Sequence, residues 1–323
     1  MKLAIVGTGK IAAEALTAIG EAGDVEVKAI WARPHSRKRG EELAARFHIP
    51  KVSTDYNELL ESAELDTVYI GLINTVHYEY ARRALESGKN VILEKPFTST
   101  LAEAEDLFRL AGEQGLFIFE AITVLHNGVF AVMAENLPKL GAVRVMQANY
   151  SQYSSRYDRY LSGILDPAFD PECKGGALRD LNIYNIHYAA ALFGAPRSAH
   201  YYPNTGFNGV DTSGVLIMDY GTFKAVCTAA KDSDSPCFVM VQGEKGYMRI
   251  DGKPNGADNL TTVIRGIPDQ EETYSEEPHH RMAVEFRDFA RMIADRDYAK
   301  AKECEKETLE VMRIIQSLSA QSY

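Results

Sequence analysis

The chain has 323 residues, 46% hydrophobic and 25% charged, with a formal net charge of −10 at pH 7. That length supports two cores rather than one. The acidic balance excludes long-range attraction to nucleic acid or to an anionic membrane, and no apolar run approaches the ~20 residues that span a bilayer. The four cysteines, Cys173, Cys227, Cys237 and Cys304, show no C-x-x-C spacing. Scattered thiols suit a reducing compartment better than a disulfide framework or a zinc site. The opening Lys2-Leu3-Ala4-Ile5-Val6 reads as a strand rather than a secretory leader, so a cytoplasmic protein is expected.

Over residues 1–120 short apolar runs alternate with helical periodicity. Strands are predicted at Leu3–Val6, Val25–Trp31, Thr67–Gly71, Asn90–Leu93 and Phe117–Glu120. Between them, apolar residues at three- and four-residue spacing predict helices at Ile11–Glu21, Arg37–Phe47, Tyr56–Glu61, Val76–Ser87 and Leu101–Glu113. Such alternation predicts βαβ units and a parallel sheet. Gly88 and Gly115 fall where helices end on a left-handed residue.

Beyond residue 120 the periodicity changes to two. Gly141–Tyr153, Gly214–Tyr220, Phe223–Ala229, Cys237–Gly243 and Tyr247–Asp251 alternate as half-buried strands do, with tight turns at Gly221-Thr222 and at Gly243–Gly246. Helices are predicted at Gly176–Phe193, Arg281–Ala294 and Ala301–Ser317, and Pro254–Pro278 reads as loops around one short strand, Leu260–Arg265. The fold class is therefore α/β: an N-terminal parallel sheet over 1–120, then an α+β domain over 121–323 with a mostly antiparallel open sheet. The last helix is free to pack back on the first domain.

Gly7-Thr8-Gly9-Lys10-Ile11-Ala12 fits G-x-G-x-x-G/A directly after a strand and at the start of a helix. The first glycine makes a tight turn, the second lets backbone approach a pyrophosphate, and the small third residue brings helix and strand together. The helix N-terminus then faces the phosphates with its N–H groups and dipole. An NAD site usually carries an acidic residue at the end of the second strand. Here the chain reads Ile30-Trp31-Ala32-Arg33-Pro34-His35-Ser36-Arg37-Lys38. Arg33, Ser36 and Arg37 suit a 2′-phosphate, which favours NADP. A basic, solvated helix start and an NAD enzyme are the alternatives.

Glu94-Lys95-Pro96 follows the predicted strand Val91-Ile92-Leu93 and places a lysine beyond a strand end, where open parallel sheets bind ligands. Further on, Asp180, Tyr184 and His187 stand at i, i+4 and i+7 and would share one helix face. A tyrosine, with a reference pKa near ~10, needs a nearby cation to act as a base. A lysine about 4 Å away would stabilise its phenolate by ~4 kcal/mol at an effective dielectric near ~20, roughly three pKa units. Lys95 with Tyr184 would thus make an acid/base pair, with Asp180 orienting a substrate hydroxyl or Lys95. The alternative is that Tyr184 and His187 are simply packed helix residues.

These segments, with Asn74-Thr75-Val76-His77 before a helix and Gly175-Gly176-Ala177-Leu178-Arg179-Asp180, resemble the Gfo/Idh/MocA oxidoreductases over nearly the whole chain. The resemblance is closest to the glucose–fructose oxidoreductase and dihydrodiol dehydrogenase branch. It implies a Rossmann first domain, makes Lys95 an active-site residue, and puts Asn74, His77 and Glu94 with Gly7–Ala12 at the cofactor. Many members carry D-x-G-x-H, with histidine as acid/base. Here those positions are Asp180, Asn182 and Tyr184, and His187 lies three residues too late to take the role.

The resemblance implies hydride transfer between NADP (or NAD) and a sugar or related cyclic alcohol or carbonyl, and a homodimer or higher homo-oligomer formed through the open sheet. Tyr150–Tyr160 mixes aromatic and hydrogen-bonding groups, and Tyr153 and Arg156 could bind such a ring beside Lys95, Asp180 and Tyr184; a polar surface loop is the equal alternative. No metal-ligating spacing is present. Two other functions share the motifs: a non-catalytic cofactor-binding sensor, and a glycosidase-like relative that uses NAD transiently.

Overall fold

Strands buried on both faces read as unbroken apolar runs, and that is how the first sheet is written. The computed structural model describes residues 1–266 and 271–319, so residues 267–270 of the predicted Pro254–Pro278 loop region lie outside the described residues. The described chain divides into two compact units, Met1–Ile122 with His279–Leu309, and Thr123–Pro278 with Glu310 onward.

The first unit holds β1 (Lys2–Val6), β2 (Glu26–Trp31), β3 (Lys51–Ser53), β4 (Thr67–Ile70), β5 (Asn90–Glu94) and β6 (Ile118–Ala121). They form one sheet in the order β3-β2-β1-β4-β5-β6, every pair parallel. The helices are α1 (Lys10–Ala22), α2 (Arg37–Phe47), α3 (Tyr56–Leu60), α4 (His77–Glu86) and α5 (Leu101–Gln114). Their ends have local causes. The Asp55 carboxylate accepts from the backbone N–H groups of Asn57 and Glu58 at the start of α3, and Thr100 with Glu103 makes a reciprocal capping box on α5. β3, absent from the sequence expectation, is three residues long, too short to show a period.

The helix predicted at Arg281–Ala294 forms as Ala283–Asp295. Sequence order groups it with the second domain, but it packs in the first unit: Phe286 and Phe289 enter the core with Leu16, Ile19, Tyr69 and Phe119. The Phe119 and Phe289 rings stack at 4.7 Å.

The second unit is a sheet of β7 (Val143–Ser151), β8 (Ser198–Thr205), β9 (Asp211–Asp219), β10 (Lys224–Ala230), β11 (Phe238–Gly243), β12 (Gly246–Asp251), β13 (Asn259–Ile264) and β14 (Glu271–Ser275). The order is β14-β13-β12-β11-β7-β10-β9-β8. β7 and β10 run parallel at its centre and the other pairs are antiparallel. Between β6 and β8 the chain adds helices α6 (Gly128–Asn136), α7 (Tyr157–Leu161) and α8 (Ile183–Phe193); α9 is the helix Ala283–Asp295 and α10 is Tyr298–Ser319. Met146, Ala148, Leu216, Ala225, Cys227 and Val239 are buried on one face, where Asn182 and Asn185 before and in α8 donate to the carbonyl oxygens of Cys227 (3.1 Å) and Thr228 (3.0 Å). The residues between them, Gln147, Val215, Val226 and Thr228 among others, line a cavity of ≈ 460 Å³ on the other face. β8 and β14 were not anticipated: they are edge strands, and polar residues with Pro203 obscure their period.

Candidate active site

The turn after β1 has the geometry its motif requires. Gly7 has φ 123°, and a Cβ there would stand 2.6 Å from the Gly71 carbonyl oxygen at the end of β4, so no other residue fits. Gly9 caps α1 in an extended conformation, with no side chain closing the first turn and no acidic residue in it. A Cβ on Gly9 would meet nothing within 4 Å. The helix N-terminus is therefore open to an approaching anion, and Ala12, fully buried, seats it on the sheet. Thr8 and Ile11 are half-buried, while Lys10 is exposed and 3.8 Å from Glu14.

At the end of β2, Arg33 precedes the short turn Pro34–Ser36, with the Ser36 N–H donating to the Arg33 carbonyl at 2.8 Å. Arg37 opens α2 and pairs with Glu41 at 2.9 Å, both exposed. Such an i,i+4 pair contributes about 0.3–0.5 kcal/mol, so a phosphate would readily displace it.

Three residues grouped with the cofactor by resemblance are placed differently from Gly7–Ala12. His77 is fully buried, its ring lying between the carbonyl oxygens of Leu72 and Pro96, each at 3.1 Å. Burial holds its pKa below the ordinary imidazole range, and the neutral ring, with one N–H, donates to only one of these two carbonyls while packing between the exits of β4 and β5. Glu94 is 6% exposed and accepts from the Tyr69 hydroxyl at 2.6 Å. Burial raises its pKa. Beside it Glu285 of α9 is 1% exposed, and both its oxygens lack a hydrogen-bond partner among the described residues. Burial first, then the Glu94 charge, push its pKa well above the carboxylate range. The Glu94 side chain thus points to Tyr69 and α9. Asn74 is half-buried in the turn Asn74–Val76 that leads into α4. Lys95 is half-buried at the exit of β5 before a cis bond to Pro96, and the following Phe97 N–H donates to Glu120 at 3.1 Å.

In the second unit the predicted helix Gly176–Phe193 opens with a π-turn, Leu178–Asn182, and becomes α-helical at Ile183. Widened turns of this kind are frequent at functional sites. The extra residue spoils the expected single face: Asp180 remains partly exposed, Tyr184 is 5% exposed, and His187 is fully buried. The Tyr184 ring lies 5.7 Å from that of Tyr150. Asp180 Oδ2 accepts from Lys231 Nζ at 2.8 Å, the lysine side chain being 2% exposed. Gly176, at φ 116°, lets the chain pass Asp211, to which a Cβ would come within 1.8 Å. That carboxylate accepts from the Leu178 N–H (2.6 Å) and the Tyr201 hydroxyl (2.7 Å). Tyr153 donates to Asp158 at 2.7 Å, and Arg156 lies 3.3 Å from Asp166.

Lys231, Asp211 and Glu285 were missed. Lys231 had a readable signal, since it follows the strand Phe223–Ala229 much as Lys95 follows Val91–Leu93. Asp211 and Glu285 had none, because their partners are distant in sequence. Among the described residues no group of three or more His, Cys, Asp or Glu side chains is arranged to hold a metal ion, and no helix is long and apolar enough to cross a membrane.

A parallel sheet whose first turn is an open glycine cradle defines a dinucleotide-binding protein. Sequence comparison makes the class specific. Residues 1–121 match the family described as oxidoreductase family, NAD-binding Rossmann fold, and residues 138–249 match its GFO/IDH/MocA C-terminal domain. The chain is 34% identical to an uncharacterized oxidoreductase of Escherichia coli, over 87% of this chain and 84% of that one. It is 36% identical to a scyllo-inositol 2-dehydrogenase (NADP(+)) of Bacillus subtilis, over 78% and 76%. The chain belongs to the GFO/IDH/MocA oxidoreductase family. Two solved structures share its fold. A 3-ketoreductase from Actinomadura kijaniata with NADP and TDP-benzene has a TM-score of 0.84 at 23% identity, covering 99% and 97% of the two chains. A levoglucosan dehydrogenase with NADH and levoglucosan has 0.84 at 16%, covering 100% and 98%.

Proposed function

We propose that this chain is an NADP-dependent oxidoreductase of a sugar or cyclic polyol, in which Lys95 and Tyr184 form the acid/base pair and Asp180 orients the reacting hydroxyl. One observation carries the reading: Lys95 leaves β5 at the same carboxyl edge of the sheet where the Gly7–Ala12 turn leaves its helix N-terminus open. The bound nicotinamide would accept or supply the hydride. Gly7, Gly9 and the start of α1 would receive the pyrophosphate, and Arg33, Ser36 and Arg37 the 2′-phosphate.

The protein's own share is proton handling. Tyr184 Oη takes the hydroxyl proton in oxidation and returns it in reduction, and the Lys95 ammonium favours the phenolate. Asp180, paired with Lys231, presents a carboxylate oxygen to a substrate hydroxyl. Tyr153 and Arg156 extend the polar rim on the same unit. The substrate class draws on relatives named for scyllo-inositol, D-xylose and trans-1,2-dihydrobenzene-1,2-diol. The open face of the second sheet, which mixes polar residues with Val215, Val226 and Phe238, suits a contact between two copies, and the free cysteines suit a reducing cytoplasm.

The test is a turnover screen of those three alcohols with NADP+ and NAD+, repeated on Lys95→Met and Tyr184→Phe. Turnover lost in both variants with NADPH affinity retained is expected. Unchanged turnover in both would sink the assignment. Cofactor binding without turnover of any alcohol would favour a sensor, and free sugar released from a glycoside without net cofactor reduction would favour a hydrolase.

A further inference from the structure

One buried ammonium in the second unit joins three chain segments. Lys231 follows β10 and its side chain is 2% exposed. Its Nζ donates to Asp180 Oδ2 at 2.8 Å and to the Ala168 carbonyl, and stands 4.4 Å from the centre of the Phe169 ring. An ammonium has three donors; two hydrogen bonds and one cation–π contact hold this one. The backbone of the same residue is also tied on both sides: the N–H donates to Thr212 at 2.8 Å, and the carbonyl accepts from Ser154 at 2.9 Å. Burying a lysine is costly unless it is paired and hydrogen-bonded. An apolar side chain would pack this corner without that cost, so the charge itself needs a reason.

We infer that Lys231 is the positioning residue of the substrate side, fixing the Asp180 carboxylate at the π-widened turn and seating the 152–169 segment around it. This rests on the reading of Asp180 as the group that orients the reacting hydroxyl. Asp180 is partly exposed. Without Lys231, Asp180 would lose a buried, directional donor. The Ala168–Phe169 turn would lose its tie to the same strand end. Lys231, nearly inaccessible, acts only through these groups.

The test is a double-mutant cycle of Lys231→Met and Asp180→Asn, with Lys231→Arg as the conservative variant, on the alcohol of the three that is turned over fastest. Expected for Lys231→Met is a loss of about 100-fold in kcat/KM, in the range that misplacing a reacting group produces. The loss should fall more on kcat than on KM, with the Kd for NADPH within about twofold of wild type and partial recovery in Lys231→Arg. The double variant should be no worse than Asp180→Asn alone, because both changes remove the same interaction. Additive losses, or wild-type kinetics in a folded Lys231→Met protein, would overturn the inference. If Lys231→Met does not fold, the cycle is run with Lys231→Arg, and additivity there overturns it equally. The two levels separate cleanly. Active Tyr184→Phe and Lys95→Met enzymes refute the proposed function, whereas dead Tyr184→Phe beside unaffected Lys231→Met refutes this inference alone.

Discussion

Glu285 offers a physical test that needs no substrate. It lies 1% exposed on α9, with neither oxygen hydrogen-bonded among the described residues and with buried Glu94 adding a like charge. Its folded-state pKa is therefore raised, and the folded protein binds a proton that the unfolded chain releases above a pH of about 4.3. Stability from this group is intact in acid. It falls as pH rises from the unfolded pKa toward the folded one, by up to about 1.4 kcal/mol per pH unit for one proton. At 2–4 °C per kcal/mol for a domain of this size, that ceiling is roughly 3–6 °C in Tm per pH unit. Glu285→Gln keeps the shape and removes the titration, so thermal melts from about pH 5 upward should show the variant gaining on wild type as pH rises, at no more than that slope. The two Tm profiles running parallel with pH would refute the argument, since Glu285 would then be paired or solvated.

Three more perturbations follow from the cofactor side. Gly7→Ala meets both a φ of 123° and the Gly71 carbonyl, so it should lower Tm with about 1–3 kcal/mol of strain and weaken NADPH. Gly9→Ala, with φ −71° and open space at the Cβ, should leave Tm unchanged and raise only the Kd, as fluorescence titration would show; equal melts for the two variants would contradict this. Replacing Arg33 and Arg37 together by Ala should raise the Kd for NADPH about 10- to 100-fold, at ~1.5–3 kcal/mol for charge-assisted hydrogen bonds, and leave NADH nearly unaffected. Equal losses for both cofactors would remove the 2′-phosphate role.

Much of this was legible along the chain because its causes are local. Alternation of apolar runs with helical periods reports a parallel sheet, since strands buried on both faces and helices buried on one have different repeats. The glycine turn is legible because its G-x-G-x-x-A spacing falls within six residues of a strand end, although the close approach to Gly71 that Gly7 permits is not local. Glu94-Lys95-Pro96 and Asp180 with Tyr184 could be picked out because strand exits and helix starts have signatures of their own.

What the amino-acid order alone determined was thus the class of most elements, the dinucleotide cradle and the identity of several ionisable candidates. Only the tertiary structure decided what those candidates face. It turned His77 inward between two carbonyls, set Glu94 against Tyr69 and Glu285, and put an extra residue into the turn at Asp180, burying His187. It also gave Asp180 its partner, Lys231, 51 residues away, and returned 279–309 to the first unit. Burial and ion pairing between distant segments depend on where the chain comes back to itself, and no local period or spacing carries that information.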